Sequence, residues 1–224
     1  MAPALLCDLD GTLVDTVHDL TAALNRLLTL DKLEPLAENR VRRLVGRGAA
    51  RLVADGYGCA GRPLDTATLD EKVQAFLAIY DAAPAAHSPP YPGVRTTLNT
   101  LRAKGWRLGV CTNKPQLPSE IILEALGLAD LFDAVGGGDR FPVRKPDGTH
   151  LLATLELMSV APETAVLVGD SRIDLMAARD AQIPVVLVTY GYGEGDMTAL
   201  RPDALIESFD ALPGVLDNLV VGGA

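Results

Sequence analysis

Two aspartates one residue apart, Asp8 and Asp10, follow the apolar run Leu5-Leu6-Cys7 and precede Gly11. Such a run suits a buried strand, and side chains at i and i+2 on a strand share one face. On an extended chain the two carboxylates stand about 7 Å apart, and closer where the backbone turns at the glycine. Unpaired buried charge is costly, so carboxylates gathered at a sheet edge call for a cation or a reaction. Solvated aspartates in a strand-end turn share the Asp-x-Asp-Gly spacing, as do calcium loops, and the motif alone leaves those readings open.

Three later stretches carry groups of complementary chemistry. Thr112-Asn113-Lys114 ends an apolar run in a hydroxyl, an amide and an amine, all able to donate to phosphate oxygens. A helix-capping threonine accounts for Thr112 equally well. Arg144-Lys145-Pro146 sets two cations before a helix start, where an anion also feels the helix dipole, although basic loops are commonly just solvated. Gly169-Asp170 closes a third apolar run, with Asp174 four residues on and hence about one helical turn away.

These groups need elements to hold them. Helical spacing begins near Asp15 or Thr16, either a candidate N-cap, and continues through Leu20, Ala23, Leu24, Leu27 and Leu28. A second helical pattern runs through Val41, Leu44 and Val45, past the Gly46-Arg47-Gly48 interruption, to Leu52 and Val53. A third covers about Leu69 to Tyr80, with Val73, Phe76, Leu77 and Tyr80 on one face. No strand pattern occurs between Thr16 and Pro84, and the proline-rich stretch from Pro84 to Gly93 reads as a linker. Beyond it, helices at 94–104, 117–126, 149–157, 173–181 and 211–219 alternate with strands at 107–112, 132–135, 165–168, 185–188 and 204–206. That alternation predicts an α/β fold, a Rossmann-like parallel sheet with helices on both faces. The predicted division is a catalytic core of residues 1–15 and 87–224 with an inserted α-helical cap over 16–86. Functional residues in such sheets collect beyond the carboxyl ends of the strands.

Composition narrows the partners. A formal charge of -9 and a sequence pI near 4.8 argue against a nucleic-acid or membrane-surface binder, because both are polyanions. With 48% hydrophobic but only 4% aromatic residues, aliphatic packing should dominate the core. The N-terminus shows no basic patch followed by an apolar segment, and no apolar run reaches membrane-spanning length, so a cytoplasmic protein is expected. Cys7, Cys59 and Cys111 have no metal-like spacing and read as reduced thiols. His18, His87 and His150 stand singly, which suits surface or helix-end positions. Trp106, just ahead of a strand, is expected to cover the core edge.

In order, Asp8-x-Asp10-Gly11-Thr12, Thr112-Asn113, Lys145-Pro146 and Gly169-Asp170-x-x-x-Asp174 resemble the four motifs of the haloacid dehalogenase superfamily, across nearly the whole chain. Within it the likeness is to bacterial phosphoglycolate phosphatases, through Asp8 to Thr16, Val45-Gly46-Arg47-Gly48, Gly136-Gly137-Gly138-Asp139 and Thr189-Tyr190-Gly191-Tyr192-Gly193. Ile173 departs from the pattern, which often has asparagine there.

The resemblance implies a Mg²⁺-dependent phosphatase of small phosphate monoesters, 2-phosphoglycolate foremost, acting through an aspartyl-phosphate. It implies Asp8 as nucleophile and Asp10 as general acid and base. Metal ligation falls to Asp8, Asp170 and the Asp10 carbonyl, with Asp174 supporting from outside, while Thr112, Asn113 and Lys145 hold the phosphoryl group. Arginine binds carboxylates in a bidentate fork, so Arg47, between Gly46 and Gly48, or Arg43 one turn earlier, is the expected reader of the substrate carboxylate. A phosphosugar phosphatase, a pyrophosphatase or a β-phosphoglucomutase-like enzyme would keep every core motif, and a non-catalytic phosphate-binding module is the reading from another class. The expected partner is a small-molecule phosphate ester, with no nucleic acid or membrane, in a monomer or dimer.

Overall fold

The computed structural model describes residues 2–83, 85–193 and 195–221. Six strands, β1 (Ala4–Cys7), β2 (Arg107–Cys111), β3 (Ala134–Gly136), β4 (Ala165–Gly169), β5 (Val185–Val188) and β6 (Ala204–Ile206), form one parallel sheet in the order β3-β2-β1-β4-β5-β6. The strands are nearly uninterrupted apolar runs because both faces of the sheet are covered. Their alternation still sorts them. Leu5, Cys7, Leu108, Val110, Val166, Val168, Val186 and Val188 pack into one core. Ala4, Leu6, Cys111, Ala165, Leu167, Val185 and Leu187 pack into the other. Five helices serve the sheet: α5 (Val94–Ala103), α6 (Gln116–Ala125), α7 (Thr149–Met158), α8 (Arg172–Asp180) and α9 (Leu212–Val221). Trp106 is buried in the first core, at the start of β2.

Four further helices lie in the chain between β1 and α5: α1 (Val17–Leu30), α2 (Glu38–Arg42), α3 (Ala49–Cys59) and α4 (Thr66–Asp81). They pack chiefly on one another. Among the described residues no strand occurs there, as the sequence predicts. The helical pattern from Val41 to Val53, interrupted at Gly46-Arg47-Gly48, forms two separate helices. Gly46 and Gly48 take φ of +101° and +86°, a conformation that cannot continue a right-handed helix. α4 starts three residues earlier than the apolar spacing suggests, because Asp65 caps it by accepting from the Thr68 N–H at 2.8 Å.

Two other local expectations are corrected. β3 sits at 134–136 rather than 132–135, its register set by pairing with Gly109, Val110 and Cys111. Neither Asp15 nor Thr16 caps α1 through its side chain. The Tyr192 hydroxyl takes that place, accepting from the Val17 N–H at 3.0 Å while donating to Asp15 at 2.7 Å.

The stretch read as a linker, of which Pro84 lies outside the described residues, holds no helix or strand over 85–93 but is tied down by hydrogen bonds. Val14 bridges Pro90 antiparallel, Asp15 N–H donates to the Pro89 carbonyl and Tyr91 N–H to the Leu13 carbonyl, both at 3.0 Å. Beside this pairing the buried Asp19 carboxylate accepts from Ser88 Oγ at 2.5 Å and His87 N–H at 2.9 Å, with His87 Nδ1 at 3.1 Å. Among the described residues no helix is long and apolar enough to cross a membrane.

A buried carboxylate that organises three donors is costly to lose. Asp19→Ala should lower the unfolding free energy by about 1.5 to 3 kcal/mol in urea titrations. A loss below about 0.5 kcal/mol, ordinary for a surface change, would show that the crossing does not depend on it.

Candidate active site

The central strands end in step. Cys7 of β1 pairs with Val110 of β2 on one side and Val168 of β4 on the other, so the residues just past these ends gather at one edge of the sheet. Those residues include Asp8, Thr112 and Asp170, and all three are buried. Gly11 turns the chain back over Asp170 with φ of +85°, and a Cβ there would meet Asp170 Oδ2 at 2.4 Å.

Lys145 reaches the same point from the loop before α7. Its Nζ lies 2.9 Å from Asp8 Oδ1 and 2.6 Å from Asp174 Oδ1, and the residue is 3% exposed. Burial alone would lower the Lys145 pKa, but Asp174 and Asp8 outweigh it and hold the ammonium charged. Asp174 is fully committed. Its other oxygen accepts from the Ser171 hydroxyl at 2.6 Å, Ser171 N–H at 3.1 Å and Asp170 N–H at 3.3 Å, in a capping box that starts α8.

Carboxylates outnumber cations here. Oxygens of Asp8, Asp170 and Asp174 lie within 4.8 Å of one another. Burial pushes Asp8 up to about 6, against the pull of Lys145, and with Asp174 and Asp8 nearby it raises Asp170 well above the usual carboxylate range. Adjacent buried carboxylates of this kind fit a hard divalent cation such as Mg²⁺, which takes oxygen ligands. Because Asp174 is occupied with Lys145 and Ser171, Asp8 and Asp170 are the carboxylates available to such an ion.

Asp10 faces another way. Its carboxylate accepts from Thr16 Oγ1 at 2.7 Å and from Lys114 Nζ at 3.2 and 3.3 Å. The two aspartates of the first motif therefore sit in different electrostatic settings, one beside Lys145 and Asp170, the other beside Lys114 and a hydroxyl. Both line one cavity, together with Thr112, Asn113 and Lys114.

Asn113 and Thr112 line that cavity and also make contacts of their own, whereas Arg43 and Arg47 lie away from it. Asn113 uses its side-chain amide to hold loops, donating to the Lys145 carbonyl at 2.9 Å and the Gly46 carbonyl at 3.3 Å. Thr112 Oγ1 accepts from the Lys114 N–H at 3.2 Å and caps no helix. Gly46 and Gly48 line the cavity over Asp8 and Asp10, but Arg43 and Arg47 do not. Both arginines are exposed: Arg43 lines an outer groove with Arg40 and Asp55, and Arg47 borders that groove and a second one that it shares with Arg51, Arg144, Asn113 and Lys145. The positive φ at both flanking glycines turns the loop so that its backbone, not Arg47, meets the cavity.

His150 stands at the start of α7, a helix-end position, but not at the surface. It is fully buried, and its Nδ1 accepts from the Lys145 N–H at 3.2 Å. A backbone N–H can only donate, so the ring proton sits on Nε2, which donates to the Gly136 carbonyl at 3.2 Å. That carbonyl also accepts from Thr112 N–H at 3.0 Å, so one imidazole ties the Lys145 loop to the end of β2. Burial and the Lys145 charge lower its pKa to about 4, keeping the ring neutral. The signal was present: His150 shares the buried helical face of Leu151, Thr154, Leu155 and Met158. Tyr192 had no such signal, because its partners Asp15 and Val17 lie at the other end of the chain.

The pH dependence of metal binding follows from the raised carboxylates. A folded-state pKa above the ordinary value means that protonated Asp8 and Asp170 favour the fold. That contribution is fully present below about pH 4 and is lost as pH rises, for Asp8 through about 6. A divalent cation needs both groups ionised and competes with their protons. Mg²⁺ should therefore raise the melting temperature more at about pH 7.5 than at about pH 5. An equal or larger gain in acid, by differential scanning fluorimetry, would place the ion elsewhere.

Comparison with known proteins agrees with this geometry. Residues 5–188 match the family model for haloacid dehalogenase-like hydrolases. The chain is 39% identical to the phosphoglycolate phosphatase of Agrobacterium fabrum, over 100% of this chain and 97% of that one. It is 44% identical to the phosphoglycolate phosphatase of Caulobacter vibrioides, over 92% and 87%. A crystal structure of a predicted phosphoglycolate phosphatase from Haemophilus somnus superposes with a TM-score of 0.88 at 30% identity, covering 96% of this chain and 97% of that one. The conjunction of Asp8, Asp10, Lys145, Asp170 and Asp174 at one sheet edge with full-length similarity of this order identifies the chain as a member of the haloacid dehalogenase-like hydrolase family.

Proposed function

We propose that this hydrolase is a Mg²⁺-dependent phosphatase of small phosphate monoesters, with 2-phosphoglycolate as its preferred substrate. The carrying observation is the split between Asp8, held beside Lys145 at 2.9 Å, and Asp10, held by Thr16 and Lys114. Full-length similarity to enzymes named phosphoglycolate phosphatase supports the substrate.

In this reading the ionised Asp8 carboxylate attacks phosphorus, forming a P–O bond as the bond to the ester oxygen breaks. Asp10 gives that oxygen its proton, so the product leaves as an alcohol rather than an alkoxide. Asp10, now a carboxylate, takes a proton from the water that attacks the aspartyl-phosphate, and Asp8 is regenerated with inorganic phosphate as product. Lys145 and Thr112 lie where the transferring oxygens gather, and positioned charge carries most of the catalysis in such reactions. Asn113 contributes by fixing the Lys145 loop through its 2.9 Å hydrogen bond to the Lys145 carbonyl. A bound Mg²⁺, held by Asp8, Asp170 and the Asp10 carbonyl, would neutralise the phosphate charge and keep Asp8 ionised. Asp174 holds Lys145 in place. Residues 16–86 act as a cap over the core of 1–15 and 87–224, with helices α1, α3 and α4 supplying the far wall of the cavity and excluding water.

The experiment is phosphate release by the purified protein from 2-phosphoglycolate, ethyl phosphate, a sugar phosphate and pyrophosphate, with Mg²⁺ and after chelation. Preference for a phosphosugar would overturn the substrate. Asp8→Asn should abolish turnover while circular dichroism stays unchanged. Asp10→Asn should slow ethyl phosphate hydrolysis by roughly 10²- to 10⁴-fold and damage the phosphorylation step with p-nitrophenyl phosphate far less, since that leaving group needs no proton. Equal damage to both would remove Asp10 from the acid role.

A further inference from the structure

The cavity over the paired aspartates has an uneven lining. On the side of the inserted helices it is mainly apolar, with Leu20, Val45, Leu52, Phe76 and Leu77 beside the single phenol of Tyr80. On the sheet side it presents Asp8, Asp10, Thr112, Asn113 and Lys114. Among the described residues that line it, Lys114 is the one cation; Arg43 opens onto an outer groove, and Arg47 and Lys145 line an adjoining one, where Lys145 pairs with Asp8.

The two buried lysines differ in how fully they are paired. Lys145 has two carboxylates at 2.6 and 2.9 Å. Lys114 has one, Asp10, at 3.2 and 3.3 Å, longer than the roughly 2.7–2.9 Å usual for charge-assisted bonds. It also lies 4.4 Å from the centroid of the Tyr80 ring, whose face favours a cation, and is hydrogen-bonded to the Tyr80 hydroxyl. Beside the Asp10 carboxylate and over the Tyr80 ring, the side chain is held as a charged ammonium. An ammonium has three donors, and a second anion can share this one with Asp10.

We propose that Lys114 reads the carboxylate of the substrate and selects short phosphorylated carboxylic acids. The inference rests on the phosphatase reading above and replaces Arg47 in the recognition step. If Asp10 delivers its proton to the bridging ester oxygen, the carboxylate carbon of 2-phosphoglycolate lies two bonds from that oxygen. Of the cations, the ammonium already touching Asp10 is the one on this cavity's lining. The apolar side of the cavity acts against competitors, because the hydroxyls of a sugar phosphate would be buried there without partners.

The test compares kcat/KM for 2-phosphoglycolate and ethyl phosphate in the wild type, Lys114→Met, Lys114→Gln and Lys114→Arg, each with Mg²⁺. Two neutral variants are made so that a folding failure in one, seen by circular dichroism, leaves the other. The wild type should prefer the carboxylated ester. Each folded neutral variant should lose ten- to hundredfold more on 2-phosphoglycolate than on ethyl phosphate, mainly through KM, and Lys114→Arg should recover part of the preference. Equal losses on both esters would mean that Lys114 acts only through Asp10, and would overturn the proposal. Persistence of the preference in both neutral variants would overturn the assignment to Lys114 and leave the substrate reading standing. A wild type that hydrolyses both esters alike would overturn the substrate reading, and this inference with it.

Discussion

The ammonium of Lys145 is buried between Asp8 and Asp174, and the rest of the site depends on that placement. A charge with so little access to water is tolerable only if opposite charges stand close and their remaining lone pairs are satisfied. The fold meets the condition with parallel strands whose ends deliver Asp8 and Asp170 side by side, and with a helix start that fixes Asp174 by its own capping box. His150 completes the arrangement from below, holding the Lys145 backbone while staying neutral itself. A protonated imidazole there would offer no acceptor to the Lys145 N–H and would set a second positive charge against the ammonium.

Asp10 shows how one short motif supplies two chemical characters. Two residues past Asp8, its carboxylate leaves the crowded group of acids and meets Thr16, from the start of the inserted helices, and Lys114, from the loop after β2. Different neighbours are the means by which two similar carboxyl groups are given different tasks. Because Thr16 leads into α1 and Lys114 follows β2, the Asp10 side chain links the chain before the first helix to the end of a neighbouring strand.

What the sequence makes legible follows from the range of the forces involved. β5 and β6 were placed correctly to the residue, since Val185–Val188 and Ala204–Ile206 are short apolar runs bounded by turn residues. β3 slipped because its three residues carry little pattern of their own and its register comes from β2. The charged residues of the site were visible as types and spacings: a buried sheet edge has few reasons to carry Asp8, Asp170 and Asp174 together. Contacts made across the chain were not visible. Tyr192 serves the start of α1 from 175 positions away, and the turn that points Arg47 outward is a matter of backbone dihedrals at two glycines.

The pairing of Val14 with Pro90 sets the entrance and exit of the helical segment side by side on the edge of the core. Neither end of the segment is threaded through the sheet, so the strand order does not depend on what lies between them. A segment joined in that way behaves as a replaceable module. It can be lengthened, exchanged for another helical unit or shortened to a tight turn while the parallel sheet and its acidic edge keep their geometry. The same pair of crossings that secures the helical segment also lets evolution, or a protein engineer, change what faces the acidic edge without rebuilding the edge itself.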